Sequence, residues 1–289
     1  MTEPAQKFDS PCLAFLIPFA PRRVKSKWDT ACVQLQQTLK SLQNSASGSF
    51  CVVVAGHDTP DFEVALDDRF CFLSVNQPPP AHPNHGVAVR LDKLMKITAA
   101  WNYAKAKWNP RYVMKLDADD FVSSKLVGWL DREGSEAGYL IPHGWIWRAP
   151  SRHFIRRTET LDRICGSCLI IRSDLADQTG PFLTEVEGVV LDKASSEFAA
   201  RDHYALVPGS GTSTLLANDS HQRYAAQFAH LGHKLASVPF AAVIYRTGNA
   251  DSITGGTWHI HNLRMLAGSL RRMRLITAGL RREFCLTGE

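Results

Sequence analysis

The chain has no apolar run approaching the roughly 20 residues that cross a bilayer as a helix. Its first residues, Met1-Thr2-Glu3-Pro4-Ala5-Gln6-Lys7, lack the apolar core of a secretory signal. Both absences lead to the expectation of a cytoplasmic protein. Cysteine is scarce and odd in number: of seven, most sit inside apolar segments (Cys12, Cys32, Cys51, Cys71, Cys168), as reduced thiols used as small core residues do. Cys165-Gly-Ser-Cys168 has the spacing of half a zinc site, yet no second cysteine pair accompanies it. No segment repeats at the period of about 20 to 50 residues that marks solenoids and propellers. Charge of one sign is not in large excess either. With 33 basic and 28 acidic residues the net charge is +5, so any polyanion binding must come from local clusters, and no nucleic-acid-binding module is recognisable.

What is present suits a soluble globular chain of 289 residues, 45% hydrophobic and 21% charged, long enough for one large α/β domain or two small ones. Cys12-Leu13-Ala14-Phe15-Leu16-Ile17, ended by Pro18, is apolar without alternation, as in a strand covered on both faces. Trp28, Cys32, Leu35, Leu39 and Leu42 then recur at spacings of four, three, four and three, which predicts an amphipathic helix. Phe50 to Ala55 is a second buried strand leading into Gly56-His57-Asp58, and Cys71 to Val75 is a third. Strand, helix, strand implies a right-handed crossover and a parallel sheet. Past a proline-rich connection, Leu94, Ile97, Trp101, Ala104 and Trp108 predict a second long helix.

The stretch that follows organises the chain. Tyr112-Val113-Met114-Lys115-Leu116 reads as a buried strand running into Asp117-Ala118-Asp119-Asp120. Carboxylates this close repel, and the simplest offset is a divalent cation, Mg²⁺ or Mn²⁺, held by one or two of them with room left for phosphate oxygens. If extended geometry continues, Asp117 and Asp119 point the same way. Capping of a following helix by these aspartates is the plainer alternative. An EF-hand loop is excluded, because Val122 and Gly128 stand where it needs Gly and Glu. Ligands in open α/β sheets bind outside the carboxyl ends of strands, so Pro18-Phe19, His57-Asp58 and Asp117 to Asp120 are expected around one crevice. Arg90, Lys93 and Lys96 lie about a turn apart on the helix entering it; Arg90 or Lys93 would neutralise a diphosphate, with a salt bridge to Asp92 as the alternative.

Further on, a helix is expected to carry Val122, Leu126 and Leu130. Gly144 to Arg163, with Trp145, Trp147, Arg148, Arg152 and Arg157, shows no clear period and reads as a basic aromatic loop suited to sugar faces and phosphates, or simply packed by its tryptophans. Cys168 to Arg172 is a strand, Leu216 to Leu231 a helix ended by Gly232, and Ser237 to Tyr245 the last strand. His259 and His261 stand two apart, on one side of any extended segment. Leu263 to Phe284, rich in Leu, Met and Arg, is expected to be a basic amphipathic helix, lying on an anionic membrane surface or docked on the protein.

Taken in order, Leu16-Ile17-Pro18, Asp58 after the second strand, Asp117-Ala118-Asp119-Asp120, Gly180-Pro181-Phe182, Arg201-Asp202-His203, Tyr245-Arg246 and Ser252-Ile253-Thr254 resemble the family 2 type of nucleotide-sugar glycosyltransferases with the GT-A fold. The resemblance spans roughly residues 11 to 261. It implies an α/β, Rossmann-like and mostly parallel central sheet flanked by helices and a GT-A domain over 11–262, with a donor half at about 11–120 and an acceptor half at about 121–262; the basic helix or tail over 263–289, read from its composition, lies beyond it. It implies a nucleotide-diphosphate sugar donor contacted by Pro18, Phe19, His57, Asp58, Asp117 and Ala118, and a glycan or lipid-linked acceptor. Asp119, with His259 or His261, would hold Mn²⁺ or Mg²⁺, and Asp202 would be the base of an inverting transfer. The pattern departs from the family at Ala55, where an acidic residue is usual, and at Arg201, where Glu is usual; Glu197 and Asp192 are the substitutes for Asp202. A nucleotidyltransferase acting on sugar phosphates would show glycines where Pro18-Phe19-Ala20-Pro21-Arg22-Arg23 stands. The other alternative is an inactive glycan-binding module on the same scaffold.

Overall fold

The computed structural model describes residues 10–24, 27–60, 66–79, 86–148, 151–180, 213–217, 224–248 and 271–286. The first four strands are β1 (Leu13–Pro18), β2 (Phe50–Gly56), β3 (Phe70–Ser74) and β4 (Tyr112–Lys115), parallel in the order β3, β2, β1, β4. Helix α1 (Trp28–Gln43) connects β1 to β2, and α2 (Gly86–Trp108) connects β3 to β4. The unbroken apolarity of β1 has a direct cause. Leu13, Phe15 and Ile17 pack with Leu35, Leu39 and Leu42 of α1, while Ala14 and Leu16 pack with Ile97, Ala100 and Trp101 of α2.

Beyond β4 the sheet turns mixed. Strand β9 (Leu169–Arg172) pairs antiparallel with both β4 and β6 (Gly138–Leu140), and β12 (Ala236–Ser237) closes the edge beside β6, making seven strands. The fold is thus α/β as expected, and the central sheet is mixed but mostly parallel, β9 being the one reversed strand among the described residues. The short α3 (Leu126–Glu133), α4 (Ser173–Ala176) and α5 (Tyr224–His230) fill out the flanks, and β10 (Thr179–Gly180) pairs with β11 (Ser213–Thr214). Gly232 ends the α5 region at φ +77°, the left-handed conformation expected of it.

A second sheet of five strands was not foreseen. It runs β14 (Met273–Leu275), β8 (Phe154–Thr158), β7 (Gly144–Arg148), β13 (Val243–Thr247), β5 (Phe121–Val122). Four expectations are corrected here. Val122 lies in β5, with the helix starting only at Leu126; the supposed loop from Gly144 contains the hairpin β7–β8; Ser237 and Tyr245 belong to two separate strands; and the tail, in place of one helix, holds β14 followed by the seven-residue α6 (Ala278–Phe284). Pairing decides each case, since a strand partner satisfies backbone groups that local helix propensity alone would place otherwise. Phe284 and Leu286 fill a cluster with Phe121, Ile155 and Ile244, and Glu283 accepts hydrogen bonds from Ser123 Oγ (2.7 Å) and Lys125 Nζ (2.7 Å). Residues 263–270 lie outside the described residues. Among the described residues no helix is long and apolar enough to cross a membrane.

The buried thiols make the fold alkali-sensitive. Burial pushes the Cys51 thiol from its ordinary 9.0 up to about 12, only weakly offset by Lys107, and pushes the Tyr112 hydroxyl up to about 12. Above the ordinary thiol value the unfolded chain releases a proton that the folded chain keeps, so stability falls as pH rises through that window, by about 1.4 kcal/mol per pH unit for Cys51. Lys96 works the other way. Its native pKa is lowered by burial, so its unfavourable contribution fades as pH climbs toward the ordinary 10.5 and vanishes above it. Urea midpoints in reducing buffer should therefore drop most steeply above about 10.5, and a flat profile there would show the thiols to be exposed.

Candidate functional site

Parallel strands deliver their carboxyl ends to one edge. β1 ends at Pro18, β2 at Gly56 and β4 at Lys115, with Pro18 beside Ala55 and Leu16 beside Lys115 in register. The segments Pro18-Phe19, His57-Asp58 and Asp117 to Asp120 therefore leave the sheet together. One turn of α2 ties all three. Asp92 Oδ1 lies 2.7 Å from His57 Nε2, beyond β2; Lys93 Nζ donates to Asp117 Oδ1 at 2.7 Å, beyond β4; and Lys96 Nζ donates to the Phe19 carbonyl at 2.8 Å, beyond β1. Lys96 also donates to Asp92 Oδ2 at 2.6 Å. The Lys96 side chain is 1% exposed and Asp92 7%, so the pair is buried, and burial lowers the lysine pKa against the opposing pull of Asp92.

The acidic segment is a turn, not a continued strand: the Asp120 N–H donates to the Asp117 carbonyl at 3.2 Å. This separates the three aspartates. Asp117 and Asp119 are partly exposed, whereas Asp120 is fully buried. Its carboxylate accepts from Ser167 Oγ (2.6 Å), from the Arg246 N–H (3.1 Å) and from Cys165 Sγ (3.3 Å), joining the turn to the loop before β9 and to β13 of the second sheet. Burial, and after it the charges of Asp119 and Asp117, raise its pKa well above the ordinary carboxylate range. Ser167 also accepts the Asp117 N–H at 2.9 Å. Gly166 lies so near that a Cβ there would come within 3.3 Å of Asp117 Oδ2 and 3.8 Å of Lys93 Nζ, so that close approach favours the absence of a side chain.

The remaining anticipated residues are placed as follows. Pro18 is partly exposed at the strand end, while the Phe19 ring is buried against Trp28 at 5.1 Å between centroids, leaving its backbone to the network. Asp58 Oδ2 accepts the Arg22 N–H at 2.8 Å, and Arg22 stacks over Trp28, so the loops after β1 and β2 are linked. The Ala118 carbonyl accepts from Thr38 Oγ1 at 3.0 Å, fixing the acidic turn to α1. Arg90 lies on α2, where its side chain is outside the described residues, as are Asp192, Glu197, Asp202, His259 and His261 entirely. Trp147 packs on Phe121 at 5.5 Å, and the Arg246 guanidinium lies over both rings, at 4.8 Å and 4.9 Å, so these groups build the second sheet's interior. Ser167 escaped the sequence reading, and Asp92 was anticipated only as a salt-bridge partner for its neighbours on α2, which it is for Lys96, and not as the partner of His57. The Cys165-Gly-Ser-Cys168 spacing did mark the place, but its serine is what reaches the acidic turn, and burial drives both thiols upward in pKa.

Among the described residues no group of three or more histidine, cysteine or acidic side chains gathers closely enough for a complete metal shell. Mg²⁺ and Mn²⁺ do not require one, since they bind through one or two carboxylates and take other oxygens from water and phosphate. Asp117 and Asp119 fit that requirement. Both carboxylates lie in the same turn as Asp120, and both are partly exposed at the strand ends.

No protein-family model matches the chain, and no curated protein matches it in sequence. Among solved structures it is similar to S. aureus TarS. A crystal structure of TarS 1–349 overlaps with a TM-score of 0.41 at 10% identity, covering 81% of this chain and 60% of that one. A second TarS structure overlaps with a TM-score of 0.41 at 11% identity, covering 90% of this chain and 43% of that one. The chain thus spans less than two thirds of either TarS structure. A TM-score this low assigns neither family nor activity.

Proposed function

We propose that the chain is a metal-dependent glycosyltransferase of the GT-A type, moving a sugar from a UDP- or GDP-linked donor to a hydroxyl of a glycan or lipid-linked acceptor. The observation that carries this reading is the turn of α2 at Asp92, Lys93 and Lys96, which fixes the loops after β1, β2 and β4 around a partly exposed pair of carboxylates. Pro18, His57 and Asp58 border the space a nucleoside would take. Lys93, held on Asp117, brings a positive charge to the place of the diphosphate, and Arg90 stands one turn earlier on the same helix. Asp119 is the metal ligand, completed by His259 or His261. When bound, Mn²⁺ or Mg²⁺ supplies charge that offsets the negative charge building on the departing nucleoside diphosphate.

Asp202 takes the proton from the acceptor hydroxyl as its oxygen attacks the anomeric carbon, giving inversion. In this arrangement residues 11–120 hold the donor and residues 121–262 the acceptor. The test is a screen of sugar nucleotides for nucleoside diphosphate release, with Mn²⁺ or with chelator. Release with Mn²⁺ alone, from a UDP- or GDP-sugar and dependent on an acceptor, is the expected result, and Asp202→Asn should abolish it. Absence of release from every donor, with intact folding, would leave the scaffold without this activity.

A further inference from the structure

The second sheet gathers arginines on one side of its outer ladder. β14 pairs with β8, Arg274 beside Ile155 and Met273 beside Arg156. Opposed residues share a face, as do residues two apart on one strand, so Arg157 lies on the face of Ile155 and Arg274 and is diagonal to Arg274, with Arg156 on the other face. Arg157, Arg272 and Arg274, with Glu159 and Thr160, line a cleft of about 380 Å³. All five residues are exposed.

The charges in this cleft do not cancel one another. Among the described residues neither the three arginines nor Glu159 makes an ion pair. Arg274 is held by carbonyls instead: its Nη1 donates to Arg271 O at 2.7 Å and to Met273 O at 2.8 Å. Neutral acceptors orient a guanidinium and leave its charge in place. Thr160 is also fixed, its N–H donating to Thr158 Oγ1 at 3.2 Å. The charge of Arg272 is felt beyond the cleft, since after burial it is what lowers the pKa of Arg156.

Like charges gathered on a ladder weaken it, so a ligand that takes up the positive charge is favoured here. Three guanidiniums and one carboxylate leave two positive charges. A phosphate monoester carries about −1.5 to −2 near pH 7 and balances them, where a carboxylate or a phosphodiester brings only one charge. Guanidinium forks also match phosphate oxygens two at a time. The cleft volume of about 380 Å³ lies within the roughly 300–1,000 Å³ of small-molecule sites, which leaves room for an organic remainder beside the phosphate. The Glu159 carboxylate would repel a second anionic group there, but it accepts hydrogen bonds from hydroxyls, and the Thr160 hydroxyl both donates and accepts.

We propose that this cleft binds a small phosphate monoester bearing hydroxyl groups, its phosphate on Arg157, Arg272 and Arg274 and its hydroxyls on Glu159 and Thr160. The site stands apart from the acidic turn. β5, which leaves that turn, is the opposite edge of the same sheet, four strand spacings or roughly 19 Å from β14. The inference is therefore independent of the donor reading, and no divalent ion takes part in it.

The test is calorimetric titration of the full chain, in chelator, with glucose 6-phosphate, glycerol 3-phosphate, inorganic phosphate and glucose. At least one ester should bind, about fivefold or more tighter than inorganic phosphate, and glucose should not bind. Arg157→Gln with Arg272→Gln should weaken the ester by at least about thirtyfold. Glu159→Ala should tighten inorganic phosphate and erase the advantage of the ester, because it removes a repelling charge and a hydroxyl partner together. The three replaced side chains are exposed, and unchanged thermal melts would confirm that both variants fold. Failure of both esters to bind overturns the proposal; long-chain polyphosphate binding in their place would assign the cleft to an extended polyanion. Equal affinity for ester and inorganic phosphate would assign the arginines to a bare oxyanion and also overturn it. So would ester binding indifferent to the double arginine change.

Discussion

Asp92→Ala is expected to lower the stability of the fold by about 3–5 kcal/mol, the cost of leaving a buried lysine charge without its partner. Lys96 is 1% exposed, and burial already lowers its pKa against the pull of the Asp92 carboxylate. With that carboxylate gone, the ammonium would keep the Phe19 carbonyl at 2.8 Å as a neutral acceptor, and His57 would lose its 2.7 Å contact. Restoring apolar balance should recover much of the loss. The double change Asp92→Leu with Lys96→Met removes both charges together, and replacing a buried pair by packed apolar groups is often neutral. Urea unfolding reads both variants. A loss below about 1 kcal/mol for Asp92→Ala would mean that water reaches the pair. Because this pair fixes two of the three loops at the strand ends, its removal should also weaken nucleotide binding in whatever fraction stays folded.

Asp119→Ala is expected to reduce metal-dependent donor turnover by at least about a hundredfold while shifting unfolding by no more than about 0.5 kcal/mol. The asymmetry comes from position. Asp120 accepts three hydrogen bonds inside the protein, whereas Asp119 is partly exposed at the turn, and its charge raises the pKa of its buried neighbour. Removing it relieves that repulsion and, on the proposed function, takes an oxygen ligand from the ion. The decisive comparison is with chelation. Chelator should reduce the wild type to the level of the variant and do nothing further to the variant. Independent losses from the two treatments would place the ion elsewhere.

The parts of the fold that could be read in the sequence are those in which one local pattern matches one environment. β1 and β2 are continuous apolar runs because helices cover both faces, and α1 shows its buried stripe at spacings of three and four. The second sheet was hidden for the opposite reason. β5 has two residues, too few for any period, and β14 is composed of Met, Arg and Leu, good helix formers held extended only by pairing with β8. In β7 the alternation is there, Ile146 on one face and Trp145 and Trp147 on the other against the Phe121 cluster, but partly exposed aromatics next to arginine look like a loop in composition. The site divides the same way. Three aspartates at a strand end are visible as a cluster, and the place of Lys93 about two turns into α2 pointed toward them. That Asp120 turns inward to Ser167 while Asp117 and Asp119 stay outward follows from a chain reversal that depends on β9 and β13, remote in sequence. Asp92 seemed merely an alternative partner for its neighbours, because His57 meets it only across 35 residues.

The claim on which the account rests is that the acidic turn grips a divalent ion that in turn holds a diphosphate. Calorimetric titration of the intact chain with UDP and with GDP, in Mn²⁺ and again in chelator, measures this without needing an acceptor. At least one of the two nucleotides should bind in Mn²⁺, with chelator or Asp119→Ala weakening it by about a hundredfold or more. Binding of equal strength with and without the ion, or no binding of either nucleotide to the folded chain, would contradict it.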